Sequence, residues 1–169
     1  SHYKHTIIID TDCAIDDMRA ISLLLSLPTI TIKAIMVSDG TLPPDEGALK
    51  VKALLKDFNR DTIPIYTGKK LKNINPSWRS FNQQLSWGNT TTAAVQTINL
   101  KQVANIIEQS KEQVTLFCLA PLTNIAQLIK NYPSILPQVE DIIWYNESAN
   151  PLKGFNYECD KKSAETVLV

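Results

Sequence analysis

Four aspartates fall within eight residues in the run Asp10-Thr11-Asp12-Cys13-Ala14-Ile15-Asp16-Asp17, directly after an aliphatic stretch. Two like charges about 4 Å apart repel by ~1 kcal/mol in water and ~4 kcal/mol at an effective dielectric of about 20. A fold that gathers several carboxylates must offset that repulsion. A divalent cation does so, and an all-oxygen donor set suits Ca²⁺, with Mg²⁺ as the alternative. Asp16 and Asp17 also fall where a helix should begin, and the N-terminal dipole favours carboxylates there. On the plainer reading those two merely cap the helix and Asp12 is a turn residue.

Other polar and aromatic positions carry weaker signals. Ser38-Asp39-Gly40 follows the second β-branched run; it is a turn, or Asp39 adds a carboxylate to the site. Trp78, Phe81 and Trp87 lie in a polar excursion, where they stack on a flat ring or pack locally. Trp144 reads as core, and Glu147 and Glu158 as solvated. Carboxylates around Cys13 raise its pKa and make it a poor nucleophile. The three cysteines have no CxxC spacing, which argues against structural zinc, and their odd number argues against a disulfide framework. Both histidines, His2 and His5, sit in the first five residues, so no histidine triad forms elsewhere.

The elements that must position these residues alternate between β-branched runs and amphipathic segments. Strands are expected over 6–10, 31–37, 63–66, 114–118 and 141–145, and helices over 16–27, 45–58, 99–110, 123–131 and 161–168. Residues 68–97 form a long Asn/Ser/Thr/Gln-rich excursion, the kind of segment that serves as a functional loop or lid. Alternation of this kind implies an α/β domain over 1–169, with an open, mostly parallel, Rossmann-like sheet and helices on both faces. Ligands bind such sheets outside the carboxyl ends of the strands, where the acidic run falls.

Composition narrows the partners. With 44% hydrophobic residues the chain of 169 has enough apolar material for a core, and 17 basic against 17 acidic residues give a formal net charge of zero. There is no basic footprint for nucleic acid or an anionic membrane surface. No apolar stretch reaches the roughly 18 residues that read as a transmembrane helix. Compartment and homo-oligomer formation stay open, with the cytoplasm slightly favoured over the periplasm or secretion.

At the acidic run the chain resembles the nucleoside hydrolase family, the inosine–uridine-preferring N-ribohydrolases, whose signature is DxDxGxDD. Ala14 stands at the glycine position. Two further segments agree in order: Ala120-Pro121-Leu122-Thr123-Asn124-Ile125-Ala126 is similar to the family's G-P-L-T-N-I-A turn, and Gly154-Phe155-Asn156 to its E-F-N segment. The resemblance implies a nucleoside hydrolase-like fold, with 1–169 as the N-terminal part of a longer one. It implies cleavage of a ribonucleoside by a Ca²⁺-bound water. Asp12 would ligate the metal and act as general base, Asp17 would be a further ligand, Asp10 would hold the metal site from its flank, and the Leu119 carbonyl would ligate too. Asp16 and Asn156 would bind the ribose. Two other readings remain. Asp10-Thr11-Asp12 also resembles the opening of haloacid-dehalogenase phosphatases, with Asp10 as nucleophile and Mg²⁺ as cofactor, although that leaves Asp16 and Asp17 without a role. The chain could also be a non-catalytic nucleoside- or sugar-binding module, or an inactive fragment.

Overall fold

A computed structural model describes residues 4–88 and 94–168. Five strands, β1 (His5–Thr11), β2 (Ile30–Val37), β3 (Ile65–Thr67), β4 (Val114–Cys118) and β5 (Val139–Trp144), form one sheet in the order β3-β2-β1-β4-β5. All four pairings are parallel. The acidic run therefore leaves the central strand. Asp10 pairs with Met36 on one side and Cys118 on the other. The strand order reverses direction between β1 and β4, the crevice where open α/β sheets bind ligands.

The β1 residues alternate between two cores, which explains why the run is aliphatic throughout. Ile7 and Ile9 face α1 (Ile15–Ser26) and α2 (Pro44–Asp57), packing with Met18, Ile21, Leu25, Val51 and Leu54. Ile8 faces α4 (Leu100–Glu108) and α5 (Thr123–Asn131), packing with Val103, Ile107, Ile125 and Leu128. The final helix α7 (Lys161–Leu168) closes this second core through Ala164. Local chemistry agrees with each start. Pro44 opens α2, and Asp16 and Asp17 sit in the first turn of α1.

Helix α4 has a full capping box: the Asn99 side chain accepts from the Gln102 amide at 2.8 Å, and the Gln102 side chain accepts from the Asn99 amide at 2.8 Å. Asn99→Ala is expected to cost about 1 kcal/mol and to lower the melting temperature by roughly 2–4 °C, read by thermal unfolding.

Several elements differ from the sequence expectation. Strand β3 starts later and β5 earlier than expected. The polar excursion contains a short helix, α3 (Arg79–Gln84), whose residues lack apolar periodicity; residues 89–93 of the excursion lie outside the described residues. A 3-10 helix (Pro133–Gln138), a hairpin of β6 (Ser148–Ala149) and β7 (Leu152–Lys153), and α6 (Phe155–Cys159) were not foreseen, being too short to show a period. Trp87 and Trp144 are partly buried, each packed against one of the two cores, and the Trp144 indole donates to the Ala120 carbonyl at 3.0 Å. Phe81 is exposed. Among the described residues no helix is long and apolar enough to cross a membrane.

Candidate active site

The chain leaves β1 through a tight turn. Cys13 takes a positive φ of 64°, and its amide donates to the Thr11 hydroxyl at 2.9 Å. A non-glycine residue in that region is strained, and the strain turns the next residues back toward the strand end. Three aspartates from this segment, Asp12, Asp16 and Asp17, line a cavity of about 380 Å³. Leu119 lines it from the end of β4, and Tyr145, Asn146 and Glu147 from the segment after β5. Thr41, Trp78, Phe155 and Asn156 complete it. The volume lies within the usual range for small-molecule sites.

Asp12 is 2% exposed, and its Oδ2 accepts the Thr41 amide at 2.9 Å. Asp17 Oδ2 accepts the Thr11 hydroxyl at 2.8 Å and the Asp12 amide at 3.3 Å. Burial pushes the Asp17 carboxyl well above the usual carboxylate range, and the neighbouring Asp12 charge adds to it. Burial raises Asp12 too, against the opposing pull of hydrogen bonds from Asp17 and Thr41. Asp16 is exposed at the same cavity. Asn156 donates to the carbonyls of Leu119 at 3.2 Å and Tyr145 at 2.8 Å. The Trp78 ring meets the Phe155 ring edge-on, with centroids 4.9 Å apart, and its indole N–H donates to the Thr41 hydroxyl at 3.0 Å.

Two expected site residues stand elsewhere. Asp10 is 1% exposed and does not line the cavity. Its Oδ1 accepts Ser38 at 2.9 Å and Asn124 at 3.1 Å, whereas Oδ2 is buried without a hydrogen-bond partner. Burial pushes this carboxyl up to about 8, and the charge of Asp12 adds a smaller rise. Asp10 is thus a strut behind the site, joining β1 to Ser38 after β2 and to α5, rather than a group facing the cavity. Asp39 is also buried and absent from the cavity lining. Its two oxygens are taken by Arg79 at 3.1 Å and by the Leu71 amide at 2.8 Å, so it ties down the excursion.

Cys13 is buried, and burial with the nearby Asp17 and Asp12 charges holds its thiol well above its ordinary value, in keeping with an inert thiol. Glu147, expected to be solvated, is exposed yet borders the cavity and pairs with Lys153 at 3.6 Å. Phe155, Tyr145 and Asn146 were missed as lining residues. The Phe155-Asn156 pair was in view only through the E-F-N resemblance, which pointed to the asparagine.

Comparison with known proteins bears on the fold and the family. The chain is 25% identical over 182 residues to a pyrimidine-specific ribonucleoside hydrolase of Klebsiella pneumoniae, covering 96% of this chain and 56% of that one. It is 28% identical over 174 residues to the enzyme of that name from Enterobacter sp., with the same coverage. Among solved structures, a plant nucleoside hydrolase superposes with a TM-score of 0.81 at 21% identity, covering 96% of this chain and 56% of that one. A purine-preferring ribonucleoside hydrolase from Gardnerella vaginalis gives a TM-score of 0.82 at 18% identity, covering 96% and 57%. The chain thus spans a little over half the length of these relatives. The family model of the inosine-uridine preferring nucleoside hydrolases matches residues 7–169, and the protein belongs to that family.

Proposed function

We propose that this cleft hydrolyses the N-glycosidic bond of a ribonucleoside, with Asp12 as general base on the attacking water. One observation carries the reading: Asp12, Asp16 and Asp17 converge on a cavity at the sheet's switch point that also holds the Trp78–Phe155 aromatic pair. The donor chemistry fits a calcium ion, with magnesium as the alternative. The carboxyls of Asp12 and Asp17 and the carbonyl of Leu119 are hard oxygen donors, and a cation offsets the cost of burying two neighbouring acids. Among the described residues no group of three His, Cys, Asp or Glu side chains is arranged to hold a metal ion. The set therefore relies on Leu119 and on water or sugar hydroxyls as well as the two acids. When bound, calcium supplies a Lewis acid that lowers the pKa of a bound water.

The chain's own groups do the rest. Asp12, fixed by the Thr41 amide, takes the proton of the attacking water. Asp16 accepts hydrogen bonds from ribose hydroxyls. Both amide hydrogens of Asn156 are already donated to Leu119 and Tyr145, so its Oδ1 is the atom that receives a sugar hydroxyl. The gathered carboxylates stabilise the positive charge that develops on the sugar ring as the bond to the base breaks. Trp78 and Phe155 shield the base from water. A nucleophilic Asp10, which a phosphatase reading needs, has no access to the cavity.

Incubation with uridine and with inosine in calcium is expected to release free ribose from at least one of them, and a chelator to stop it. Nucleoside binding by calorimetry without ribose release would replace this reading with a non-catalytic binding module.

A further inference from the structure

Arg79 sits at the start of α3, in the excursion whose sequence carries no helical period. Its guanidinium is largely buried, with the side chain 13% exposed, and it makes three hydrogen bonds to one turn. Nε donates to the Thr41 carbonyl at 2.9 Å, and Nη2 donates to the Gly40 carbonyl at 2.7 Å and to Asp39 Oδ1 at 3.1 Å. The Gly40 carbonyl and the Thr41 amide are the two ends of one peptide group. The carbonyl end is gripped by Arg79; the N–H end donates to Asp12 Oδ2 at 2.9 Å. A guanidinium on a carbonyl is a charge-assisted contact, and it polarises the same peptide's N–H toward its acceptor. Gly40 lets this peptide lie on the aspartate: a Cβ there would fall 2.8 Å from the Asp12 Cβ and closer still to its carboxyl. The preceding residue, Trp78, is hydrogen-bonded to Thr41 as well, so the aromatic wall and the aspartate hang on the same three-residue turn.

We propose that Arg79 is a positioning residue: by holding the carbonyl side of the 40–41 peptide it keeps that peptide's N–H on Asp12, and it locks the Trp78 wall to the same turn. The assignment rests on Asp12 as the general base, but the grip itself is readable without any turnover.

The test uses the isotope-labelled chain and two variants. In Arg79→Met the Thr41 amide resonance moves upfield and its hydrogen exchange speeds up roughly tenfold or more, while amides of β1 and β4 keep their protection. Arg79→Lys keeps the charge but reaches fewer acceptors, and gives an intermediate shift. In the ribose-release assay kcat falls roughly 10- to 100-fold in Arg79→Met, the penalty of a misplaced group, while inhibition by free ribose is unchanged. Added guanidinium ion at low concentration restores part of the loss; sodium chloride of equal ionic strength does not. An unmoved Thr41 amide in folded Arg79→Met overturns the proposal. Should that variant not fold, a wild-type Thr41 signal in Arg79→Lys does the same. A wild-type chain that releases no ribose removes the function proposed above, yet leaves the amide readout to judge the grip.

Discussion

Replacing Asp12 with asparagine is expected to lower kcat for ribose release by 100-fold or more while the melting temperature holds or rises. A positioned general base contributes roughly 10²- to 10⁴-fold, and an amide cannot take the proton. The fold should survive because the asparagine Oδ1 still accepts the Thr41 amide that now reaches Asp12 Oδ2. Stability should not fall because the wild-type site carries two buried acids side by side, each disfavoured by burial and Asp17 further by the Asp12 charge. Removing one charge relieves the other, the familiar exchange of stability for a strained catalytic centre. Thermal unfolding in chelator reads the stability, and kcat at saturating calcium separates loss of the base from weaker metal binding. A variant that keeps kcat within about tenfold of wild type would place the base elsewhere.

What the sequence revealed, and what it concealed, follows from the range of the interactions. The acidic run was legible because its residues are neighbours in sequence, delivered together by one strand and one turn. The central strand was legible because burial on both faces leaves an unbroken β-branched run in Ile7, Ile8 and Ile9. Asp39 misled because a carboxylate after a strand looks the same whether it meets a ligand or an arginine 40 residues away. Asp10 misled for the opposite reason. It sits within the acidic run, but it faces the α5 side of the sheet together with Ile8, whereas Asp12 lies past the end of the strand in the turn, and its partners Ser38 and Asn124 come from remote segments. Arg79 gave no signal at all, since two of its three acceptors are backbone carbonyls, which sequence does not distinguish, and the third, Asp39, lies 40 residues away. The aromatic pair was half visible. Trp78 stood out in a polar excursion, whereas Phe155 acquires its place only when α6 folds against the end of β4.

The position of Asp10 makes the protein's stability depend on pH in a direction opposite to that of most paired carboxylates. Burial pushes its carboxyl from the ordinary 3.8 up to about 8. Between those values the folded chain holds a proton that the unfolded chain has released, so each step up in pH favours unfolding. Asp12 and Asp17 are raised by the same burial and add to the slope. At about 1.4 kcal/mol for each pKa unit, Asp10 alone carries a ceiling of about 6 kcal/mol, lost progressively as pH climbs from about 4 to about 8. In chelator, the wild-type melting temperature is therefore expected to be highest at mildly acidic pH and to fall toward pH 8. Asp10→Asn keeps an oxygen for Ser38 and Asn124 and removes the titrating proton, so in chelator its melting temperature should equal or exceed wild type at pH 8 and fall less steeply with pH, the remaining slope being that of Asp12 and Asp17. Calcium separates the contributions. On the proposed reading it would meet Asp12 and Asp17 at the cavity but not Asp10, so it should flatten the wild-type profile only in part and the Asp10→Asn profile almost completely. If Asp10→Asn kept the full wild-type slope in calcium, the proton taken up on folding would belong to another group, and the buried strut would have to be ionised as it stands.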